Sequence, residues 1–330
     1  MPTPEDTPWL SLLVPLYNVE RYLPACLDSI LSQAVDGIEV VLLDDASPDG
    51  SAAIAEDHAR RHPQTLRLLA HDRNGGLSAA RNSLLRAARG DYVWFLDSDD
   101  LLLPGAIAGL RAALAQPVDL VLCDFRMVRD RFGLKHRLRG ELHRRTFAGD
   151  AEPVRRDRSA LVGGLLGARQ LHAWTKIARR EVWAHAVFPE GRTFEDIAVI
   201  PALVAGTASY THVPQPWVGY RQRDDSIMAT MTPRKALDLM QSLRELAAGL
   251  RALDGLDADA RFAIDYFCLR TLASTAGKTN DDTVLDACRQ TLRAIFPAGT
   301  DDVLRECARR GWVLRRWRLR KCLQRMQGAA

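Results

Sequence analysis

YVWFLDSDDLLLP, residues 92–104, sets a strand against a cluster of charge. Tyr92–Leu96 reads as a strand with no polar face, and Asp97, Asp99 and Asp100 then fall within four positions. A strand apolar on both faces belongs to a sheet covered on both sides by helices, which is characteristic of parallel sheets. In such sheets ligands bind beyond the carboxyl ends of the strands. Ser98, Asp99 or Asp100 can cap the following helix, since short polar side chains satisfy its free amides. Capping accounts for one acid, not for three, and Pro104 sets the predicted helix start several residues on. An Asp-x-Asp pair offers two hard oxygen ligands close together. That suits Mg²⁺ or Mn²⁺ shared with substrate phosphates.

Outward from this stretch, short apolar runs alternate with amphipathic ones. Strands are predicted at 10–15, 38–43, 66–70, 92–96 and 118–125. Helices are predicted at 22–33, 51–61, 78–88 and 104–115. This is an α/β pattern with a Rossmann-like, mostly parallel sheet flanked by helices. Residues 127–157 are polar and Arg-rich and read as a surface excursion. Pattern resumes at 159–166, with a helix predicted over 194–204 and short strands at 210–213 and 218–220. After Pro233 the strand signals vanish. Segments 236–250, 259–273 and 283–296 carry helical spacing, so residues 234–330 form an all-helical appendage to a domain over 1–233.

Of the 330 residues 47% are hydrophobic and 26% charged, as in a globular protein. No apolar run reaches the ~20 residues of a membrane span. The N-terminus MPTPEDTPW has no secretory features, so a cytoplasmic location is expected. The six cysteines form no C-x-x-C pair and read as buried thiols. A net charge of +4 gives no reason to expect nucleic acid. Residues 305–325 nevertheless hold nine Arg and Lys against the single acid Glu306. Ala308, Trp312, Leu319, Leu323 and Met326 there can share a helical stripe, which Arg316 interrupts and from which Trp317 faces away. The segment is either an ordinary docked helix or a contact with anionic lipid head groups.

Two further motifs share the expected ligand edge. LLDDASPDGS ends the second strand in Asp44 and Asp45. Its Ala-Ser-Pro-Asp-Gly is good turn chemistry. A carboxylate there can equally accept the ring N–H of uracil or thymine, and both readings stay open. HDRNGGLSAARN, 71–82, is a Gly-Gly turn feeding a helix, whose N-terminal amides attract anions. Arg81 on that helix is by default a solvated arginine.

In order, SLLVPLYNVERYLPACLDSILSQ, EVVLLDDASPDGS, NGGLSAARN, GDYVWFLDSDD, HAWTKIARREVW, FPEGRTFEDI and YRQRDDSI resemble the family 2 glycosyltransferases of GT-A fold. The resemblance runs from residue 10 to about 230 and leaves out the helical tail. It implies a nucleotide-binding half over about 10–126 and an acceptor half over about 158–233. It implies an inverting transferase using a UDP-sugar, a divalent metal (Mn²⁺ or Mg²⁺), and a glycan or lipid-linked acceptor. By position it implies Pro15, Tyr17 and Asp45 around the base, Arg81 near the nucleotide, and Asp97 and Asp99 as the D-x-D pair. Asp99 is then the metal ligand, Asp97 reaches ribose or metal-bound water, and Asp196 of FEDI is the catalytic base.

Taken alone, Glu195–Asp196 reads as two acids in a first helical turn with Thr193 as cap. Trp174 and Lys176 are candidates for the acceptor pocket and a phosphate, and Glu195 and Asp100 are supporting candidates. Tyr220, Arg221 and Arg223 are candidates for a flap over the diphosphate. His172 or His212 is a candidate for an extra metal ligand, although a lone histidine is by default structural. Processive relatives carry Q-x-x-R-W, whereas VLRRW here has Val313 in place of the glutamine, which points to the addition of one sugar or a few. Two other functions fit the α/β pattern, namely a non-catalytic nucleotide-sugar-binding module and a nucleotidyltransferase.

Overall fold

Leu10–Leu16 forms β1, with every residue buried. The computed structural model describes residues 7–129, 143–150, 153–222 and 231–327. β1 pairs in parallel with β2 (Ile38–Asp44) on one side and β4 (Tyr92–Phe95) on the other, and β3 (Leu66–Ala70) extends from β2. α1 (Leu23–Leu31), α2 (Ser51–Arg61) and α3 (Leu77–Ala87) connect these strands, within a residue or two of their predicted bounds. α4 (Ala106–Ala113) starts after Gly105 at φ 82°, a little beyond Pro104.

The second half of the sheet departs from the parallel expectation. The strand order is β3-β2-β1-β4-β7-β6-β8-β5. β7 (Lys176–Arg179) lies between β4 and β6 (Leu120–Val128) and is antiparallel to both. β6 runs parallel to β8 (Tyr210–Arg221), and β5 (Leu101–Leu102) is antiparallel to β8. The sheet is therefore mixed, and parallel throughout β3-β2-β1-β4. The two short strands predicted at 210–213 and 218–220 are one bent strand. Its register against β6 slips on both sides of Asp124, which pairs with Pro216, a residue unable to donate to the ladder.

The 127–157 stretch is not all surface. Met127 and Val128 continue β6, and Thr146 and Phe147 are buried. Phe147 packs on α5 (Arg158–Ala168) so closely that a Cβ on Gly164 would lie 2.0 Å from its ring. α6 (Arg180–Ala184) follows β7. The single helix predicted over 194–204 is two, α7 (Glu195–Ala198) and α8 (Ile200–Gly206), divided at Val199 where Pro201 occupies the first turn of the second.

The appendage is helical as expected. It comprises α9 (Pro233–Arg251), α10 (Ala258–Ala276), α11 (Asp282–Ile295), α12 (Asp301–Arg309) and α13 (Val313–Gln327). Thr232, Asp257 and Asp281 cap α9, α10 and α11 through their side-chain oxygens. The basic segment is broken into α12 and α13 near Gly311 (φ 70°). Leu319, Leu323 and Met326 face inward, while Val313, Leu314 and Trp317 are 70%, 72% and 58% exposed. On α13 the stripe read from the sequence is thus the docked face, with Trp317 facing away from it, and Val313 and Leu314 add to the exposed apolar face. No helix among the described residues is long and apolar enough to cross a membrane. The six cysteines are free, and all but Cys322 are buried.

Candidate active site

β1, β2 and β4 end at one edge of the sheet. The ladder continues one residue past β2 and β4, with Asp45 N donating to Leu16 O (2.9 Å) and Leu96 N to Leu13 O (3.0 Å). The chain leaves this edge through left-handed residues, Asn18 (φ 55°) after β1 and Ala46 (φ 56°) after β2. Such conformations at non-glycine positions cost of order 1–3 kcal/mol and gather at functional sites.

Arg81, four residues into α3, is the organising group. It is 1% exposed, against the solvated arginine that the sequence suggests by default. Nη1 donates to Glu195 Oε1 (2.8 Å) and Asp196 Oδ1 (2.9 Å), and Nη2 donates to Asp97 Oδ1 (2.9 Å). The rings of Phe95 and Phe188 lie 5.8 and 5.4 Å from its guanidinium carbon. A cation with apolar neighbours and three carboxylates joins the end of β4 to the start of α7.

Glu195 and Asp196 reach Arg81 because Phe194, immediately before them, is left-handed (φ 62°). Thr193 is not their cap. Its N and Oγ1 donate to Asp238 Oδ2 of α9 (3.0 and 3.1 Å), and Arg192 makes a bidentate pair with Glu245 of the same helix (3.0 and 2.9 Å). The appendage therefore fastens the loop that presents the two acids. Burial first, then Asp196, pushes the Glu195 carboxyl up to about 7.

At the end of β4 the three aspartates differ. Asp97 is held by Arg81, and Asp97 and Asp99 are both partly exposed. Asp100 is wholly buried and does not cap a helix. Its Oδ1 accepts from Arg221 N (2.8 Å) while its Oδ2 has no hydrogen-bond partner among the described residues. Burial first, then Asp99 and Asp97, holds its carboxyl well above the usual range. Arg221 Nε donates to Asp99 O (2.9 Å), which ties the end of β8 to this turn. Arg223 lies outside the described residues.

Five carboxyl groups, Asp97, Asp99, Asp100, Glu195 and Asp196, thus gather at this edge. Three of them share the Arg81 guanidinium, while Arg221 gives its backbone N–H to Asp100 and its Nε to the backbone carbonyl of Asp99. That excess of negative charge, with one buried carboxylate oxygen lacking a partner, is the setting in which a divalent cation is favoured. No three potential ligand groups converge as a ready metal cage among the described residues. The donor set fits an ion of the Mg²⁺ type, which takes one or two carboxylates and completes its shell with water and substrate phosphate.

Asp45 is 2% exposed and already occupied. Oδ1 accepts from His71 Nδ1 (2.6 Å) and Gly75 N (2.9 Å), and Oδ2 from Gly76 N (2.7 Å). Asp45 therefore anchors the Gly-Gly turn from across the edge, which neither local reading foresaw. His71 was missed in the sequence, although its place just after β3 puts it on this edge. Pro15 is buried in β1 and Tyr17 is 48% exposed at the edge.

Trp174 is buried and packs against both His172 (4.7 Å, 9°) and Tyr220 (5.5 Å, 17°), whose rings lie 6.0 Å from each other, so it backs the site rather than lining an open pocket. His172 Nδ1 lies 3.9 Å from Asp196 Oδ2. His212 is wholly buried against Asp124, away from this cluster.

Lys176 makes no hydrogen bond to the acids. Its Nζ donates to His172 O (2.8 Å), Thr175 Oγ1 (3.1 Å) and Gln170 O (3.4 Å), all neutral, and burial pushes its pKa down to about 7. An unfolded lysine titrates near ~10.4. Between about 7 and that value the unfolded chain binds the extra proton, so stability rises with pH across this window. Lys176→Met is expected to remove this rise, at most ~1.4 kcal/mol per pH unit, in urea unfolding from neutral to alkaline pH. An unchanged slope contradicts the assignment.

Fold and site together define a GT-A-type chain, a nucleotide-type sheet with clustered acids at its carboxyl edge. Residues 11–166 match the model of Glycosyl transferase family 2, so this part of the chain carries a domain of that family. It is 43% identical over 119 residues to a protein described as uncharacterized glycosyltransferase EpsJ of Bacillus subtilis, covering 36% of this chain and 34% of that one. It is 41% identical over 97 residues to the minor teichoic acid biosynthesis protein GgaB of the same organism, covering 29% of this chain and 11% of that one. The chain thus spans about a third or less of the length of these relatives. Among solved structures, S. aureus TarS 1–349 in complex with UDP-GlcNAc superposes with a TM-score of 0.73 at 20% identity, over 97% of this chain and 92% of that one. At that identity the likeness is one of fold, and it extends through the helical appendage.

Proposed function

We propose that the chain is an inverting, metal-dependent glycosyltransferase moving a sugar from a UDP-sugar to a hydroxyl of a glycan or glycolipid acceptor, in bacterial surface polysaccharide assembly. The observation that carries the reading is the Arg81 clamp. It holds Asp97, from the strand end expected to face the donor diphosphate, and Asp196, the expected base, on one guanidinium. Arg81 binds Asp196 Oδ1 and leaves Oδ2 as the oxygen able to take the acceptor hydroxyl proton. Asp99, assisted by Asp97, would hold the metal, which supplies Lewis-acid stabilisation of charge on the departing diphosphate. Asp45 fixes the Gly-Gly turn, which sets the floor for the base beside Pro15 and Tyr17.

Two other readings make different demands. A non-catalytic module requires no base, and a nucleotidyltransferase releases pyrophosphate from a free triphosphate. Neither requires an acid pair delivered to the donor edge by a strained residue and braced by α9. Calorimetric titration of UDP with Mn²⁺ or with EDTA tests the donor site. Asp99→Ala is expected to abolish the metal-dependent part of the affinity, and equal UDP affinity in both conditions for both proteins contradicts it.

The acceptor-side proposal includes the membrane surface. Val313, Leu314 and Trp317 are exposed on α13 beside exposed Arg318, Arg320 and Lys321, with Lys321 Nζ 5.5 Å from the centre of the Trp317 ring. Aromatic and aliphatic groups rimmed by cations suit an anionic bilayer at the cytoplasmic face. Co-sedimentation with phosphatidylglycerol vesicles is expected, reduced by salt and lost in Leu314→Ser/Trp317→Ser. Absence of binding at any salt concentration excludes this contact.

A further inference from the structure

A groove of ≈ 480 Å³ runs between α5 and α10 and is closed at one side by the α12–α13 junction. None of the acids at the sheet edge line it. The starts of α5 and α10 are joined by Asp257 N donating to Ser159 Oγ (2.9 Å). Gly163 on α5 keeps part of the floor low, since a Cβ there would meet nothing within 4 Å. The facing wall is aromatic. Trp312 lies 5.0 Å from Tyr266 and 5.6 Å from Phe262, ring centre to ring centre.

The charges in the groove are unequally satisfied. Arg310 is paired with Glu306 and Asp259, and Arg155 donates to Asp150 O. Asp157 and Asp257 are taken up as the caps of α5 and α10. Arg169, Arg270 and Arg315 remain. None of the three has a carboxylate partner among the described residues. Arg169 ends α5 in a left-handed conformation (φ 62°), and partial burial, then the Arg270 guanidinium, lowers its pKa. Arg315 lies 4.4 Å over the Trp312 ring. Two mutually repelling arginines and a third on an indole face leave their N–H forks for a ligand.

Three free guanidinium groups call for an anion of phosphate or carboxylate type. The exposed parts of the tyrosine and indole faces suit the apolar face of a sugar ring, by the same contacts through which aromatic residues bind amphipathic ligands. Four aspartates also line the groove (Asp150, Asp157, Asp257 and Asp259), which disfavours an anionic bilayer lying flush against it but leaves acceptors for hydroxyl groups. We propose that this groove is a second binding site, for a short run of an anionic glycan chain, with a phosphate or carboxylate on Arg169, Arg270 and Arg315 and sugar faces on Tyr266 and Trp312. The site stands on its own geometry, and its role as an anchor for the growing acceptor chain rests on the transferase reading.

The test uses the full chain and calorimetric titration with hyaluronan tetrasaccharide, a short poly(glycerol phosphate), neutral maltotetraose and inorganic phosphate. At least one of the two anionic oligomers is expected to bind, maltotetraose to bind at least tenfold more weakly, and salt to reduce the difference. Arg169→Asn/Arg270→Gln, in which asparagine tolerates the left-handed backbone, is expected to weaken that binding at least tenfold, as charge-assisted hydrogen bonds are lost. Arg270→Gln alone gives the same readout if the pair does not fold. UDP affinity and vesicle co-sedimentation are expected to stay unchanged, which separates this site from the donor site and from the α13 face. The proposal is overturned if neither oligomer binds, if only inorganic phosphate binds, if maltotetraose binds equally, if the variants bind like the parent, or if they lose only vesicle binding.

Discussion

Arg81→Met is expected to destabilise the protein by about 3–5 kcal/mol, the cost of breaking a buried ion pair by removing one partner, and to abolish transfer. Methionine fills much of the space between Phe95 and Phe188 but leaves Asp97, Glu195 and Asp196 without their cation. Since the loss arises from uncompensated carboxylates, it is expected to shrink as pH falls and they take up protons in the folded state. Urea unfolding at neutral pH and near pH 5 measures this. Arg81→Lys restores the charge but not the fork that serves three acids at once, so it is expected to recover stability in part and activity hardly at all. An Arg81→Met protein as stable as its parent at neutral pH contradicts the clamp.

Asp196→Asn is expected to lower kcat by ~10²–10⁴-fold, the range typical of a lost general base, while leaving Mn²⁺-dependent UDP affinity unchanged. The amide oxygen can still accept from Arg81 Nη1, so the geometry of α7 is kept and the change falls on proton transfer. Glu195→Gln offers the internal comparison. Glu195 also lies on Arg81 Nη1 but is the more buried of the two, so its loss is expected to alter stability more than the chemical step. Steady-state rates beside UDP titrations distinguish the two acids. Near-normal turnover in Asp196→Asn rules out its role as base.

Much of the sheet was legible because its strands are buried on both faces. IEVVLL and YVWFL have no polar face to confuse the period, and the helices between them are bounded by turn chemistry. β7 escaped because KIAR is short and ends in cations, and its Lys176 is buried by the tertiary structure alone. The break between α7 and α8 was masked by a continuous apolar period, although Pro201 marks it. At the site, Asp97, Asp99 and Asp196 were legible as acids at expected element ends. Their convergence on Arg81 was not, because an arginine in the first turns of a helix looks the same in sequence whether it points to solvent or inward. Nor does Phe194 announce a left-handed residue. On α13 the stripe of Leu319, Leu323 and Met326 is buried and Trp317 faces away as read, but the break near Gly311 leaves Ala308 and Trp312 outside that helix, so the stripe does not run through them.

Release of UDP from a panel of UDP-sugars, with Mn²⁺ and with EDTA, tests the central claim most directly. Metal-dependent release from at least one of them, lost in Asp196→Asn while UDP still binds, is the expected result. Pyrophosphate release from UTP with no turnover of any UDP-sugar would contradict it.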